Sequence, residues 1–153
     1  MMVAMSAGQR RSRAFGAALA VATLAGPTPS AAVEDGPIAD PKIWCGDAAN
    51  LITDKDTEKF IDSFVFASGH LVDRPSVAQA FAALAPALTQ EGAGLPPEFL
   101  LEKNYGVSFS RVWFLLQFEK GILFLRCEGA KRGKSWIIIS VSYDSASANI
   151  DLP

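Results

Sequence analysis

Residues 129–135 read GAKRGKS, a glycine-rich basic stretch similar to the loop that binds nucleotide phosphates. That loop has the pattern G-x-x-x-x-G-K-[ST] between a strand and a helix, because backbone amides and the helix N-terminus hold the phosphates together. Here Glu128 stands where the first glycine should be, and the residues that follow, WIII, favour a strand. We therefore predict a turn between two strands, with Lys131, Arg132 and Lys134 in solvent, and no nucleotide site.

The only histidine, His70, lies close in sequence to Asp73, and such a pair is suited to acid and base catalysis. His70 follows Gly69, the predicted end of a helix, where a histidine also interacts favourably with the helix dipole. We therefore favour a structural role for His70. The sequence has no Ser/His/Asp or Cys/His arrangement and no metal-ligand spacing, so neither a metal nor another cofactor is predicted.

The first 32 residues have the three-part layout of an export signal. Arg10, Arg11 and Arg13 precede the apolar run 14–25, and small residues ending at Ala32 follow it. The run has 12 residues before a glycine and a proline, whereas a membrane-spanning helix needs about 18 or more. We predict a signal peptide over 1–32, cleaved after Ala32, and a periplasmic or secreted mature protein without a membrane span.

The predicted mature chain is acidic and contains both cysteines. The leader carries three of the 14 basic residues and none of the 16 acidic ones, which leaves 11 against 16 and a formal net charge of −5. This charge argues against nucleic acid or an anionic membrane as the main partner. Cys45 and Cys127 are an even number of cysteines in an exported chain, which predicts a disulfide, with two buried free thiols as the alternative.

The mature chain is long enough for one domain. Residues 33–52 begin with an acidic, proline-containing stretch, and we predict a flexible N-terminal segment there, followed by a single α+β domain over 53–153. In the stretch TDKDTEKFIDSFVFASG, acidic residues stand at the start and apolar residues recur at helical spacing. This pattern predicts a helix over 54–68, with Gly69 as its C-terminal cap.

Two further helices are predicted before the sheet. Asp73 is a suitable N-cap, and an amphipathic stripe follows it, formed by Val77, Phe81, Leu84 and Leu88. Pro86 is expected to kink this helix or to end it early. A short third helix is predicted over residues 97–103.

The C-terminal third of the chain is dense in β-branched and aromatic residues, which predicts three strands of an antiparallel meander. Their predicted ranges are 107–118, 122–128 and 135–143. In the first of them the apolar residues change phase, which predicts a bulge near Ser110 or Arg111 that bends the sheet.

Alternation in the last strand predicts which side chains face the helices. The predicted helix-facing set is Ile137, Ile139, Val141 and Tyr143, and the predicted far-face set is Trp136, Ile138, Ser140 and Ser142. Because the far-face set begins apolar, we expect a bend, a partner subunit or a ligand to cover that end of the sheet.

Aromatic residues of the sheet region give the one pocket hypothesis. Most of them are core residues by default, but some are expected to line a concave pocket where a bent sheet meets the helices. The candidate lining residues are Tyr105, Arg111, Trp113, Gln117 and Trp136.

The predicted layout resembles the nuclear-transport-factor-like, or SnoaL-like, α+β cone superfamily. KRGKSWIIISVSYDS is similar to the final hairpin of small exported members, and LPPEFLLEKNYG is similar to their short helix before the sheet. The resemblance spans about residues 54–153. It implies two or three N-terminal helices packed on a bent antiparallel sheet of at least three strands, a pocket between them, and frequent dimerisation through the outer sheet face.

Function does not follow from that superfamily, which includes isomerases, cyclases and many proteins that are not enzymes. We favour an exported, non-catalytic domain that binds a small apolar ligand or a protein partner. One alternative is an isomerase or cyclase that uses His70 with an acidic neighbour. The other is a structural protein that forms a homodimer through the sheet face.

Overall fold

The computed structural model describes residues 34–152, so the predicted leader and its cleavage site lie outside the described residues. Four α-helices come first: α1 (Pro41–Thr53), α2 (Thr57–Ala67), α3 (Arg74–Ala80) and α4 (Leu84–Gln90). Four strands and a 3-10 helix follow: β1 (Glu98–Tyr105), β2 (Phe109–Gln117), β3 (Ile122–Arg132), β4 (Ser135–Asp144) and the 3-10 helix (Ser147–Ile150). The strands form one antiparallel sheet in the order β1-β2-β3-β4, which confirms the α+β class and the meander.

Helix α1 lies where the sequence predicted a flexible segment over 33–52, and that prediction was wrong for residues 41–52. Asp40 caps the helix by accepting a hydrogen bond from the Lys42 amide at 2.7 Å, and Pro41 occupies the first turn. The helix buries one face, formed by Trp44, Cys45, Ala48, Ala49 and Ile52. Alanines and a cysteine give this face little apolar signal, which is why the pattern was missed.

Residues 34–40 run along the outer edge of β4. The amide of Ile38 donates to the carbonyl of Trp136 at 3.2 Å, and the amide of Trp136 donates to the carbonyl of Ile38 at 2.9 Å. The Gly36 amide donates to the carbonyl of Arg132 at 3.0 Å, and a Cβ on Gly36 would collide with the Trp136 carbonyl. Backbone pairing therefore holds this segment on the sheet edge and covers β4.

Helix α2 lies inside the predicted helix over 54–68, whereas the second predicted helix is divided into α3 and α4. Asp73 is the N-cap of α3, as predicted, and accepts a hydrogen bond from the Ser76 amide at 2.9 Å. Residues 81–83 form a turn between α3 and α4. Pro86 explains the break, because its ring clashes with the carbonyl four residues earlier and it has no amide hydrogen to donate.

The predicted short helix over 97–103 is wrong, since these residues belong mostly to β1. This edge strand pairs with β2 from Glu98 to Tyr105, and Leu100 is the extra residue of a bulge between Phe99 and Leu101. Its sequence, EFLLEKNY, is rich in helix formers. Pairing with β2 outweighs that local preference, as tertiary context often does for an edge strand.

The predicted bulge near Ser110 or Arg111 is also wrong. Strands β2 and β3 pair without interruption from Phe109 to Gln117. Ser110 is fully buried on the helix-facing side, and its hydroxyl donates to a Glu102 carboxylate oxygen at 3.0 Å. A polar residue at an inward position therefore produced the apparent change of phase.

A bulge does occur in β4, and it changes which residues face the helices. Ser140 pairs with Glu128 and Ile138 pairs with Gly129, so Ile139 is the extra residue. Val141 and Tyr143 pack against the core as predicted. Ile138 is fully buried in the core and Ile139 is 45% exposed, so the predicted facing is reversed for these two residues.

The turn between β3 and β4 is shorter than the predicted heptapeptide. Residues 129–132 belong to β3, and Arg132 pairs with Ser135, which leaves a two-residue turn, Gly133-Lys134. Gly133 has a φ of 63°, which tight hairpin turns require at this position and glycine adopts without strain. The carboxylate of Asp35 accepts a hydrogen bond from the Lys134 amide at 2.6 Å, and this bond connects the turn to residues 34–40.

The predicted disulfide between Cys45 and Cys127 is confirmed, and it joins α1 to β3 with a Cα–Cα distance of 6.0 Å. Both cysteines are fully buried. Beside them, aromatic side chains fill the interface between helices and sheet: the Phe60 and Phe81 rings meet edge to face at 5.0 Å, and Phe81 stacks on Tyr143 at 5.8 Å. Burial raises the pKa of the Tyr143 hydroxyl.

Candidate binding surface

The five predicted pocket residues lie on two sides of the sheet. Arg111 donates to the hydroxyl of Tyr105 at 3.3 Å, and both side chains, with Trp113, lie on the face away from the helices. Gln117 is on the same face and donates to Glu98 at 3.4 Å. Trp136 instead packs against the core between helices and sheet. The structure therefore brings Tyr105 and Arg111 together and separates Trp136 from them by the sheet.

The C-terminal segment (residues 147–152) covers part of the outer sheet face. The carbonyl of Ile150 accepts hydrogen bonds from the Trp113 indole at 3.2 Å and from the Arg126 guanidinium at 3.1 Å. The side chains of Ile150 and Trp113 are each only 1% exposed. The Glu128 carboxylate lies 2.8 Å from the guanidinium of Arg111 and 3.6 Å from that of Arg126, and it balances part of their positive charge. This cover lies beside Ser142, at the polar end of the predicted far-face set. The apolar end was predicted wrongly, because Trp136 and Ile138 pack against the core on the helix side.

Ile150→Ala tests this cover. The substitution is expected to lower the free energy of unfolding by about 2–4 kcal/mol, because it removes a buried aliphatic side chain from above Trp113. Urea denaturation measures the loss, and acrylamide quenching of tryptophan fluorescence should increase. Asp151→Asn is the control and should change stability by less than about 1 kcal/mol, because its 3.5 Å contact with Arg111 is exposed. Equal effects of both variants would contradict the assigned contact.

His70 lies at the end of α2 and lines a cavity of about 250 Å³ at the edge of the sheet. Gly69 and His70 both have positive φ values, 62° and 61°, so the chain turns sharply there and leaves the His70 side chain exposed. The cavity is lined by Glu34, Asp35, Pro37, Phe66, Gly69, His70 and Arg132. It is therefore on the outside of the domain and not in the space between helices and sheet.

A second cavity of about 180 Å³ is lined by residues that follow Pro37 of the first in the chain. It is lined by Ile38, Ala39, Asp40, Ile43, Trp44 and Asp47. Pro37 lines the first cavity, and the next three residues, 38–40, line the second. We call the two cavities and their lining residues the edge surface.

Two large apolar side chains of the edge surface are exposed. Ile43 of α1 is 65% exposed, and Phe66 of α2 is 57% exposed. Leu71, next to His70 in the chain, is 62% exposed. By contrast, Trp44 is buried and donates its indole N–H to the Ser63 hydroxyl at 3.0 Å, so α1 and α2 are fixed beneath the surface.

The edge surface also carries four carboxylates, those of Glu34, Asp35, Asp40 and Asp47. Within residues 34–152, none of the four lies within 4.0 Å of a lysine, arginine or histidine nitrogen. Asp35 and Asp40 accept backbone amide hydrogen bonds, and Glu34 and Asp47 are exposed. With Arg132 as the cationic lining residue, the surface combines apolar side chains with a net negative charge.

The arrangement around His70 gives little support to acid–base chemistry. Asp73, the predicted partner, caps α3, and the hydrogen bonds from Ser76 hold the pKa of this carboxyl below its usual range. Among residues 34–152, no group of three or more histidine, cysteine or acidic side chains could hold a metal ion. In the same range, none of the helices combines the length and apolar character needed to cross a membrane.

Sequence reasoning missed most of the edge surface. Phe66 had one available signal, because it falls outside the buried stripe of α2 that contains Phe60, Ile61 and Phe64. Ile43 had none, because α1 itself was not predicted.

The comparison with known proteins assigns no relative: no family model, curated protein or solved structure matches this chain.

Proposed function

We propose that this protein is an exported, non-catalytic domain that binds a protein partner through the edge surface. The observation that carries the proposal is the pair of cavities along residues 34–40, with the exposed side chains of Ile43 and Phe66 in their lining. Clustered exposed apolar side chains rimmed by polar groups are typical of surfaces that bind other proteins. Large anchors such as a phenylalanine are the side chains that contribute most to such interfaces.

A protein partner fits the cavities better than a small apolar ligand does. Their volumes, about 250 and 180 Å³, are below the roughly 300–1,000 Å³ typical of small-molecule sites. Carboxylates line both of them, which disfavours a ligand without polar groups. The space between helices and sheet, where the resemblance implied a pocket, is occupied by buried side chains such as Phe60, Phe81 and Phe114.

Export is part of the proposal and is supported by two observations. The leader has the layout of a signal peptide, and the disulfide is compatible with an oxidising compartment. Membership of the SnoaL-like superfamily also remains a proposal, and helices that precede an antiparallel meander are compatible with it. Neither of these two proposals is needed for the edge surface to bind a partner.

A double variant, Ile43→Ser with Phe66→Ser, tests the function. We expect it to reduce the fraction of protein recovered in complex by at least about tenfold, because two exposed anchors are lost. The tagged protein is purified from its own host and measured by native mass spectrometry. Because both side chains are already exposed, the variant should fold normally, and circular dichroism checks this.

The matched control is Leu95→Ser with Val107→Ser, which removes two exposed apolar side chains outside the edge surface. This control should retain the complex. If both double variants lost the complex equally, or if neither did, the edge surface would not be the binding site.

A further inference from the structure

We infer that the partner presents a cationic amphipathic segment, with lysine or arginine side chains beside an apolar one, to the edge surface. This inference rests on the proposed function and specifies the chemistry of the partner. Its basis is the charge of the edge surface and the spacing of that charge around the exposed apolar residues.

The charge of the edge surface is predominantly negative. Four carboxylates line the two cavities, and the only cationic side chain among the lining residues is that of Arg132. Lys42 is close in sequence, but it is not a lining residue of either cavity, and its ammonium group lies 3.9 Å from the Phe99 ring centre. A partner with acidic side chains would therefore meet repulsion, and a partner with basic side chains would compensate unpaired carboxylates.

The acidic and apolar residues of α1 share one face of the helix. Asp40, Ile43 and Asp47 follow one another at spacings of three and four residues, so they lie in a row about 10 Å long. Phe66 lines the other cavity together with Glu34 and Asp35. Each exposed apolar side chain thus shares its cavity with two carboxylates, and the complementary segment carries basic residues beside an apolar one.

Peptide binding tests the inference. The probes are three labelled 18-residue peptides: an amphipathic leucine/lysine helix, a leucine/glutamate helix with the same apolar face, and a serine/lysine peptide without an apolar face. Fluorescence anisotropy at 20 and 150 mM NaCl measures their dissociation constants. We expect the leucine/lysine peptide to bind at least about tenfold more tightly than the other two, with weaker binding at the higher salt concentration because exposed charges are screened.

Charge variants locate the binding. Glu34→Gln with Asp47→Asn removes two exposed carboxylates of the edge surface, and should weaken leucine/lysine binding about threefold to tenfold at low salt. The control, Asp54→Asn with Glu119→Gln, removes the same charge elsewhere and should change the affinity by less than twofold. An equal loss in both double variants would mean that the net charge of the domain attracts the peptide, and would overturn the inference.

The two proposals fail separately. Equal affinity for the leucine/lysine and leucine/glutamate peptides, or no binding of either, would overturn the cationic partner but would leave the proposed function standing. If Ile43→Ser with Phe66→Ser left the native complex intact, the proposed function itself would be overturned.

Discussion

Replacing Cys45 and Cys127 together with alanine is expected to lower the free energy of unfolding by about 4 kcal/mol. The disulfide joins positions separated by 82 residues, and its removal allows the unfolded chain many more conformations. Both cysteines are fully buried, and alanine fits the space they leave, so the native state should keep its fold. Urea denaturation with linear extrapolation measures the loss.

Two controls accompany this prediction. Cys45→Ala alone should lower the free energy of unfolding about as much as the double replacement does, because either change opens the same loop. The wild-type protein measured in dithiothreitol should approach the stability of the double variant. A loss below about 1 kcal/mol would show that the bond between α1 and β3 contributes little to stability.

Ile138→Ala and Ile139→Ala are expected to have very different effects although they replace identical neighbouring residues. Ile138 is fully buried, so its truncation leaves a cavity in the core and should cost about 2–4 kcal/mol. Ile139 is the exposed bulge residue, and its truncation should cost less than about 1 kcal/mol. Urea denaturation of both variants provides the comparison.

This pair is its own control, because the two substitutions have the same chemistry in the same strand. A strand without the bulge would bury Ile139 and expose Ile138, as simple alternation predicts. The reverse order of the two losses would therefore contradict the register of β4.

Parts of the fold could be predicted because their signals are local. Asp73 before a proline marked the start of α3, and a high density of β-branched and aromatic residues marked β2, β3 and β4. The pairing of Cys45 with Cys127 followed from the cysteine count and the predicted compartment. In each case a property that can be read from the residues themselves, such as capping, branching or an even cysteine count, indicated the structure formed.

Other parts depend on contacts that a single sequence does not contain. Helix α1 buries small residues whose apolar character is weak, and β1 becomes a strand because β2 offers it a partner. The bulge at Ile139 shifts the alternation by one residue without any glycine or proline to mark it. These features are decided by packing between distant segments, which overrides local preference.

The candidate site illustrates the same limit. The predicted pocket grouped Trp113 with Trp136, but the first is covered by Ile150 and the second packs against the core on the other side of the sheet. The edge surface is built from residues 34–40, two helices and Arg132, which are far apart in the sequence. Only the exposed position of Phe66 on an otherwise regular amphipathic helix pointed toward it.

Native mass spectrometry of the tagged wild-type protein, purified from its own host, tests the central claim most directly. We expect a discrete complex mass beside that of the domain, and we expect Ile43→Ser with Phe66→Ser to abolish it while Leu95→Ser with Val107→Ser does not. The claim would be contradicted by a wild-type spectrum that contains only the mass of the domain alone. That result counts if other protein complexes, measured under the same conditions as controls, stay intact.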